Sequence, residues 1–526
     1  MSVMGFSQNE HWEWAHAIGG PNDDMGGNVK IDKHNRLLVT GMFKSPFIKL
    51  GTDTLVSEFA STYYLAKMST DEEMLWAVTS NTGGSLKIDS AGNIYQFGRI
   101  FGNYISQGDT LVPGVPLAIY SYYISKRDSN GNLLFLKQWV SGGTLNVNSV
   151  AVDATGNSYV VGTVTSDSLT VNGTVIYDGD LLVIKFDTAG NLVWGRGTNY
   201  TSSGAIEGQS AVCDAAGNLY VGGSINADSM RIDNVSFPHP GMFLLKLTPD
   251  GDVVWLNGVQ GYTYLSNLDL TIDKDNNLYA WVSSWLMSGI VLDGDSFAGI
   301  HNFLIKYDTD GNSIWHTSAR GSFGGLNNTI DAEGNIIVTG TFSGNWVIFG
   351  NDTLFNYPYS NNVYVAKYNA AGTLTFLTGT YNDQYYTVVS GFTADREGNF
   401  YVSGSFSDGL ITFGSIPVLG YNNTKYDMFF AKLSNTFVSD VGAISNMDGS
   451  FNLFPNPCVS GMHVLSNSLD DNQLYTIYSI NGNKLLSGRL YDSASWVDVS
   501  KLSAGVYFFQ LTTNGKSTVK RFVIQN

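Results

Sequence analysis

One unit, written seven times along most of the chain, constrains what this sequence can fold into more than any other feature. It begins with an Asp-x-x-Gly-Asn turn whose first column is Asp32, Asp89, Asp153, Asp214, Asp273, Asp331 and Asp395, spaced 57, 64, 61, 59, 58 and 64 residues apart. Nine residues after each Asp stands Gly41, Gly98, Gly162, Gly223, Val282, Gly340 or Gly404. A lysine column follows, Lys67, Lys126, Lys185, Lys246, Lys306, Lys367 and Lys432. Nine residues beyond the lysine comes an aromatic, Trp76, Phe135, Trp194, Trp255, Trp315 and Phe376, until the seventh unit breaks the rule with Val441.

Asp caps a tight turn and Gly takes the left-handed conformation that a bulged hairpin requires. The flanking runs, such as Leu219-Tyr220-Val221-Gly222-Gly223, are rich in strand formers. Each unit therefore reads as strand A, turn, strand B, a long connection, strand C, a second glycine turn (Gly131, Gly190, Gly251, Gly311, Gly372) and strand D with the aromatic. Four strands repeated seven times predict an all-β, seven-bladed β-propeller over residues 10–436. Trp14, in His11-Trp12-Glu13-Trp14-Ala15, is a natural replacement for the missing seventh aromatic. The N-terminal strand would then be strand D of the last blade, with residues 10–18 pairing with 427–434, and the ring would present no open edge. The repeat resembles bacterial propeller repeats of exported proteins, a likeness that speaks to fold and hardly at all to function.

The repeat stops after Thr436, and residues 437–449 read as a linker. The charge changes there too: residues 450–526 carry a net +2, against −19 for the rest of a chain whose total is −17. Alternating apolar residues broken by turns, with an Asn-Gly hairpin at Asn481-Gly482, predict a small Ig-like β-sandwich of about seven strands over 450–526. Pro455-Asn456-Pro457, the Gly482 turn, Leu502-Ser503-Ala504-Gly505-Val506-Tyr507 and a last strand containing Lys520 and Arg521 follow one another to the C-terminus. In this order they resemble the type A sorting domain of the type IX secretion system. That resemblance implies a Gram-negative bacterium, export by a cleaved signal, engagement of the type IX machinery, and a place on the outer cell surface or outside the cell. Residues 1–9 read as the remnant of that signal, since Gly5-Phe6-Ser7-Gln8 puts small residues where a signal peptidase reads.

Several function classes find no support. A net charge of −17 argues against nucleic acid, whose binding is driven by Lys and Arg. No run of about 18 apolar residues predicts a transmembrane segment. Cys213 and Cys458 fall in different proposed domains and read as buried small apolar residues. His-Glu-x-x-His, Gly-x-Ser-x-Gly and phosphate-loop motifs are missing, and the seven histidines are scattered, so neither a catalytic set, a metal nor a cofactor is expected. Asp308-Thr309-Asp310-Gly311-Asn312 and Asp273-Lys274-Asp275-Asn276-Asn277 evoke calcium loops but occupy turn columns. The lysine column reads more simply as a repeated structural ion pair than as a basic ring. Strings such as Asp53-Thr54-Leu55 and Asp352-Thr353-Leu354 resemble the O-glycosylation acceptor pattern of bacteria with type IX secretion, although turn geometry also accounts for them.

With strand A innermost, the D-to-A and B-to-C loops share one face, the one where propellers commonly bind ligands. Candidate ligand-binding residues on it are Arg196, Tyr200, Tyr262, Tyr264, Arg320, Tyr385 and Tyr386, because flat rings with polar edges suit sugars or peptides. The leading expectation is a non-enzymatic secreted or surface protein that adheres to a glycan or protein partner. The alternative is an extracellular polysaccharide hydrolase or lyase using paired carboxylates.

Overall fold

The computed structural model describes residues 11–100, 104–108, 110–113, 120–141, 145–164, 168–171, 174–177, 180–198, 205–261, 263–286, 290–292, 295–297, 300–356, 360–382, 386–407, 409–414, 416–421, 425–434, 451–456, 458–466, 473–479, 483–490, 494–513 and 516–525. The expected signal remnant at 1–9 and linker at 437–449 lie outside them. The chain divides into two compact units, one containing Glu13–Ile411 and Val418–Asn435, the other containing Thr436–Asn526.

In the first unit, seven antiparallel four-stranded groups are found among the described residues. Blade 1 runs in the order A (Asp24–Ile31), B (Leu37–Phe43), C (Thr62–Met68) and D (Met74–Ser80). The remaining A strands are Ser85–Ile88, Leu145–Val152, Ile206–Cys213, Thr263–Ile272, the C-terminal half of Ser313–Ile330, and Thr387–Ala394. Each A strand packs on the A strands of the blades before and after it, and the seventh packs on the first, so the inner strands close a ring. Ser313–Ile330 serves twice, as D of blade 5 and A of blade 6. Many B-to-C connections carry an extra hairpin, such as Phe47–Leu50 with Asp53–Val56 and Met230–Ile232 with Val235–Phe237. The N-terminal strand His11–Ile18 lies hydrogen-bonded beside Tyr426–Ser434 at the outer edge of blade 7. Trp14 there stands 6.2 Å from the Tyr401 ring, much as Trp194, Trp255 and Trp315 stand 6.0, 5.9 and 6.0 Å from Tyr159, Tyr220 and Tyr279.

The repeated residues all serve one end of the ring. In the A-to-B turn, Asp153 Oδ1 accepts the backbone N–H groups of Thr155 and Asn157, while the Asn157 amide donates to Oδ2. Gly156 adopts φ of 89°, and where the glycine is replaced, Asn35 and Asn276 take φ of 55° and 63°. In five blades a tyrosine six residues after the turn Asp returns to it: the Tyr95, Tyr159, Tyr220, Tyr279 and Tyr401 hydroxyls donate to Asp89, Asp153, Asp214, Asp273 and Asp395. The lysines form the expected ion pairs in several blades, Lys67 to Asp32 at 2.7 Å and Lys367 to Asp331 at 3.1 Å. Lysine and tryptophan then converge on one carbonyl of the next blade. Lys185 Nζ and Trp194 Nε1 both donate to Pro249 O, and Lys246 and Trp255 both donate to Thr309 O.

The glycine column has a separate cause. Strand A carries a β-bulge, and the carbonyl just before it crowds strand B, so that a Cβ on Gly162, Gly223 or Gly404 would collide with the carbonyl oxygen of Asn146, Glu207 or Val388. In blade 5 the bulge sits two residues earlier, between Leu265 and Asn267, and Val282 stands there in place of glycine.

The C-terminal unit is a sandwich of a three-stranded sheet (Phe451–Phe454, Gly461–Ser466, Ala494–Asp498) and a four-stranded sheet (Lys484–Leu490, Gln473–Ser479, Gly505–Thr513, Lys516–Ile524). Phe451, Met462 and Val464 from one sheet and Ile477, Phe509 and Phe522 from the other share its core.

Candidate functional site

At the other end of the ring Gly26-Gly27 lies within strand A of blade 1 and Gly83-Gly84 immediately precedes strand A of blade 2. With Gly41 and Gly98 on the adjoining B strands they line a cavity of about 790 Å³, and their bare backbones let its wall pack closely, since a Cβ on Gly26 or Gly84 would collide with the carbonyl oxygen of Gly404 or Phe97. It lies at the D-to-A end of blades 1 to 3. Its wall carries the amide residues Asn28, Gln96, Gln107, Asn146 and Asn148, the hydroxyl residues Thr40, Ser80, Thr82 and Ser85, and Tyr63, Tyr64, Tyr122, Arg99 and Arg127. Asn148 also donates to Gly208 O of blade 4, which fixes this corner of the wall. The Leu145 backbone N–H donates to the Tyr122 hydroxyl at 2.6 Å. Burial pushes the Tyr64 phenol far above its ordinary pKa, so this group stays a neutral hydrogen-bonding partner.

The described lining residues include no carboxylate, imidazole or thiol. The wall can therefore meet a polar ligand surface through amides, hydroxyls and two guanidinium groups. A second cavity of about 420 Å³ holds His16, Asp71, Glu72 and Glu73, where His16 Nε2 and Glu72 Oε2 stand 3.0 Å apart.

The residues singled out from the sequence do not assemble into one site. Arg196 lies on strand D of blade 3 (Leu192–Gly197), where its guanidinium approaches Asp233 and Asp252 of blade 4 at 3.7 and 3.6 Å and ties outer strands together. Tyr264 is part of strand A of blade 5, in register with Trp285. Arg320 stands exposed over the Trp346 ring at 5.8 Å. Tyr386 is half-buried against Tyr426, with ring centroids 5.0 Å apart. Tyr200, Tyr262 and Tyr385 lie outside the described residues.

Of the described residues singled out from the sequence, Arg196, Tyr264, Arg320 and Tyr386 do not line this cavity. A signal was present: Gly26-Gly27-Asn28-Val29-Lys30-Ile31-Asp32 and Gly83-Gly84-Ser85-Leu86-Lys87-Ile88-Asp89 match each other and none of the other five units.

In the C-terminal unit, the sorting-motif residues meet along the last strand. Asn456 Oδ1 accepts the Val523 N–H and its amide donates to Arg521 O, while Cys458 forms a parallel bridge with Ile524. The Tyr507 hydroxyl donates to Ser503 O at 2.6 Å, closing the loop that contains Gly505's neighbours. Lys520 lies over the Phe451 ring at 5.7 Å, and burial lowers its pKa. Pro455 is half-buried and Arg521 exposed; Pro457 and Gly482 lie outside the described residues.

Residues 452–525 match the family described as the secretion system C-terminal sorting domain. This match indicates export to the cell surface or the medium through type IX secretion, as in Bacteroidetes-type Gram-negative bacteria. An uncharacterized WD repeat-containing protein of Acanthamoeba polyphaga mimivirus is 20% identical over 82% of this chain, and the chain spans only 39% of that relative. Among solved structures, a protein of unknown function from Dyadobacter fermentans is 7% identical with a TM-score of 0.38, covering 81% of this chain and 99% of its own. PorZ, a surface component of the type IX secretion system of Porphyromonas gingivalis, is 12% identical with a TM-score of 0.24, covering 95% and 81%.

Proposed function

We propose that the propeller is a non-enzymatic binding module, displayed or released by its C-terminal sorting domain, that adheres to a glycan through the cavity of blades 1 to 3. In this reading residues 10–436 are the binding domain and 450–526 the exported address. The observation that carries it is the chemistry of the cavity wall: five amides, four hydroxyls, three tyrosines, Arg99 and Arg127, without a carboxylate pair among the described lining residues. Sugars are recognised by such planar amides and hydroxyls beside ring faces, whereas glycoside hydrolysis needs two opposed carboxyl groups.

A polysaccharide and glycan array, read for both retained protein and released reducing ends, tests the proposal. The full chain is expected to be retained on at least one glycan with no release, and Gln96→Ala with Asn146→Ala to lose most of that retention. Release of reducing ends from the retained glycan would overturn the non-enzymatic reading. Undiminished retention of the double variant would remove the cavity from it.

A further inference from the structure

Two lysines of the propeller stand outside the structural lysine column. Lys30 and Lys87 occupy the same place in blades 1 and 2, two residues before the turn Asp, where the other five blades have Ala151, Val212, Thr271, Thr329 and Thr393. Both lie on innermost strands and are half-buried. Ser85, on the cavity wall, and Lys87 share one face of strand A, with Lys87 about 7 Å further along the strand.

Lys30 and Lys87 interact electrostatically with each other and with Asp269, which belongs to blade 5. Only the space enclosed by the ring of A strands separates residues on these three blades, so both ammonium groups face that space. Asp269 does not neutralise them by contact. Its Oδ1 accepts the Ser210 hydroxyl at 3.1 Å and its Oδ2 the Asn328 N–H at 2.8 Å, in a clamp between blades 4, 5 and 6. Among the described residues neither lysine has an ion pair or a hydrogen bond, unlike Lys67 or Lys367. Two half-buried cations at equivalent positions of neighbouring A strands disfavour each other, and the natural relief is a shared anion.

We propose that Lys30 and Lys87 form an anion subsite behind the cavity, so that the saccharide bound there is an acidic one whose carboxylate or sulfate group sits between the two ammonium groups. The inference rests on the glycan reading of the cavity and narrows it. Burial lowers the Lys30 pKa to about 8, with Lys87 pushing the same way and Asp269 opposing. Lys87 is lowered by burial as well, against the pull of Asp269 and Cys213. A bound anion would restore both to full charge.

Calorimetric titration of the full chain with a trigalacturonate and with its methyl ester tests the proposal, with a sulfated neutral trisaccharide to distinguish the two anions. The acid is expected to bind about tenfold or more tightly than the ester at pH 7, the worth of one charge-assisted hydrogen-bond set. That preference should shrink by pH 9, as Lys30 loses its proton. Lys30→Gln and Lys87→Gln should each abolish most of it, with thermal midpoints equal to or above the parent's because an unpaired cation has been removed. Preference for the sulfated sugar alone would assign the subsite to sulfate. Equal binding of acid, ester and sulfated sugar would overturn the subsite while leaving the glycan reading intact, as would a preference that survives in the double variant. Binding of none of the three would overturn the inference as well, and array retention of the same preparation would then show whether the glycan reading survives.

Discussion

The two ends of the propeller are built on opposite principles. At the turn end, the blades reuse one small set of contacts: an Asp saturated by backbone N–H groups, met by a returning Tyr in five blades and by a lysine ion pair in blades 1 and 6, and in blades 3 and 4 a Lys and Trp reaching one carbonyl of the next blade. At the D-to-A end, the blades differ, and glycine pairs in two of them line a cavity. Repetition satisfies buried polar groups cheaply seven times over, but it can only make a surface with sevenfold monotony. A contour with one specific shape requires the repeat to fail locally, and blades 1 and 2 are where it fails together.

That contrast is sharpest if damage at the turn end affects folding and damage at the cavity end does not. Lys67→Met should have the largest effect, since the Lys67 and Asp32 side chains are 6% and 1% exposed and the substitution leaves a buried carboxylate unpaired. A loss of about 3 kcal/mol is expected from the denaturant midpoint. Burial pushes the Asp32 carboxyl up, but the Lys67 ammonium and the N–H groups of Arg36 and His34 outweigh it and hold the group below its ordinary range. An effect below about 1 kcal/mol would mean that the ion pair is ornamental.

Gly223→Ala should come next, at about 2 kcal/mol, because the new methyl group meets backbone and not a flexible side chain. Chemical denaturation of this variant beside Val282→Ala makes the comparison internal: the blade 5 position, with its displaced bulge, already accepts a branched side chain. The smallest effect belongs to the cavity. Asn146→Ala should shift the melting midpoint by no more than about 0.5 kcal/mol in stability. A shift as large as that of Gly223→Ala would show the cavity wall to be part of the folding core.

The turn end was readable because each of its residues recurs at fixed spacing, and the reason for each recurrence is local: φ above zero at Gly156, a carboxylate acceptor at Asp153. Even the exception at Val282 was visible, although only the register of blade 5 explains it. The C-terminal sandwich was readable for another reason, the fixed order of Pro455-Asn456-Pro457, Gly505, Tyr507 and the basic last strand. The cavity resisted because its amides come from three blades and from positions with no period. Gln96 lies mid-strand in B of blade 2, Asn148 is the bulged residue of blade 3, and Asn146 lies just before that bulge. The residues singled out from the sequence are tied up elsewhere where they are described: Arg196 braces outer strands and Tyr386 packs on Tyr426.

The strand His11–Ile18, lying beside Tyr426–Ser434, has a kinetic consequence. Its partner is the last propeller strand to be made, so its edge must wait, unpaired, while all seven blades are synthesised. Closing so long a loop adds only slowly growing entropy, but the contact has among the largest sequence separations in the molecule and cannot nucleate folding. The seam therefore forms late, and its amides should be among the first of the ring to exchange with solvent hydrogen. An exported protein built this way carries its weakest joint at one known place, where Glu13 meets Lys432 at 3.0 Å and Trp14 leans on Phe430.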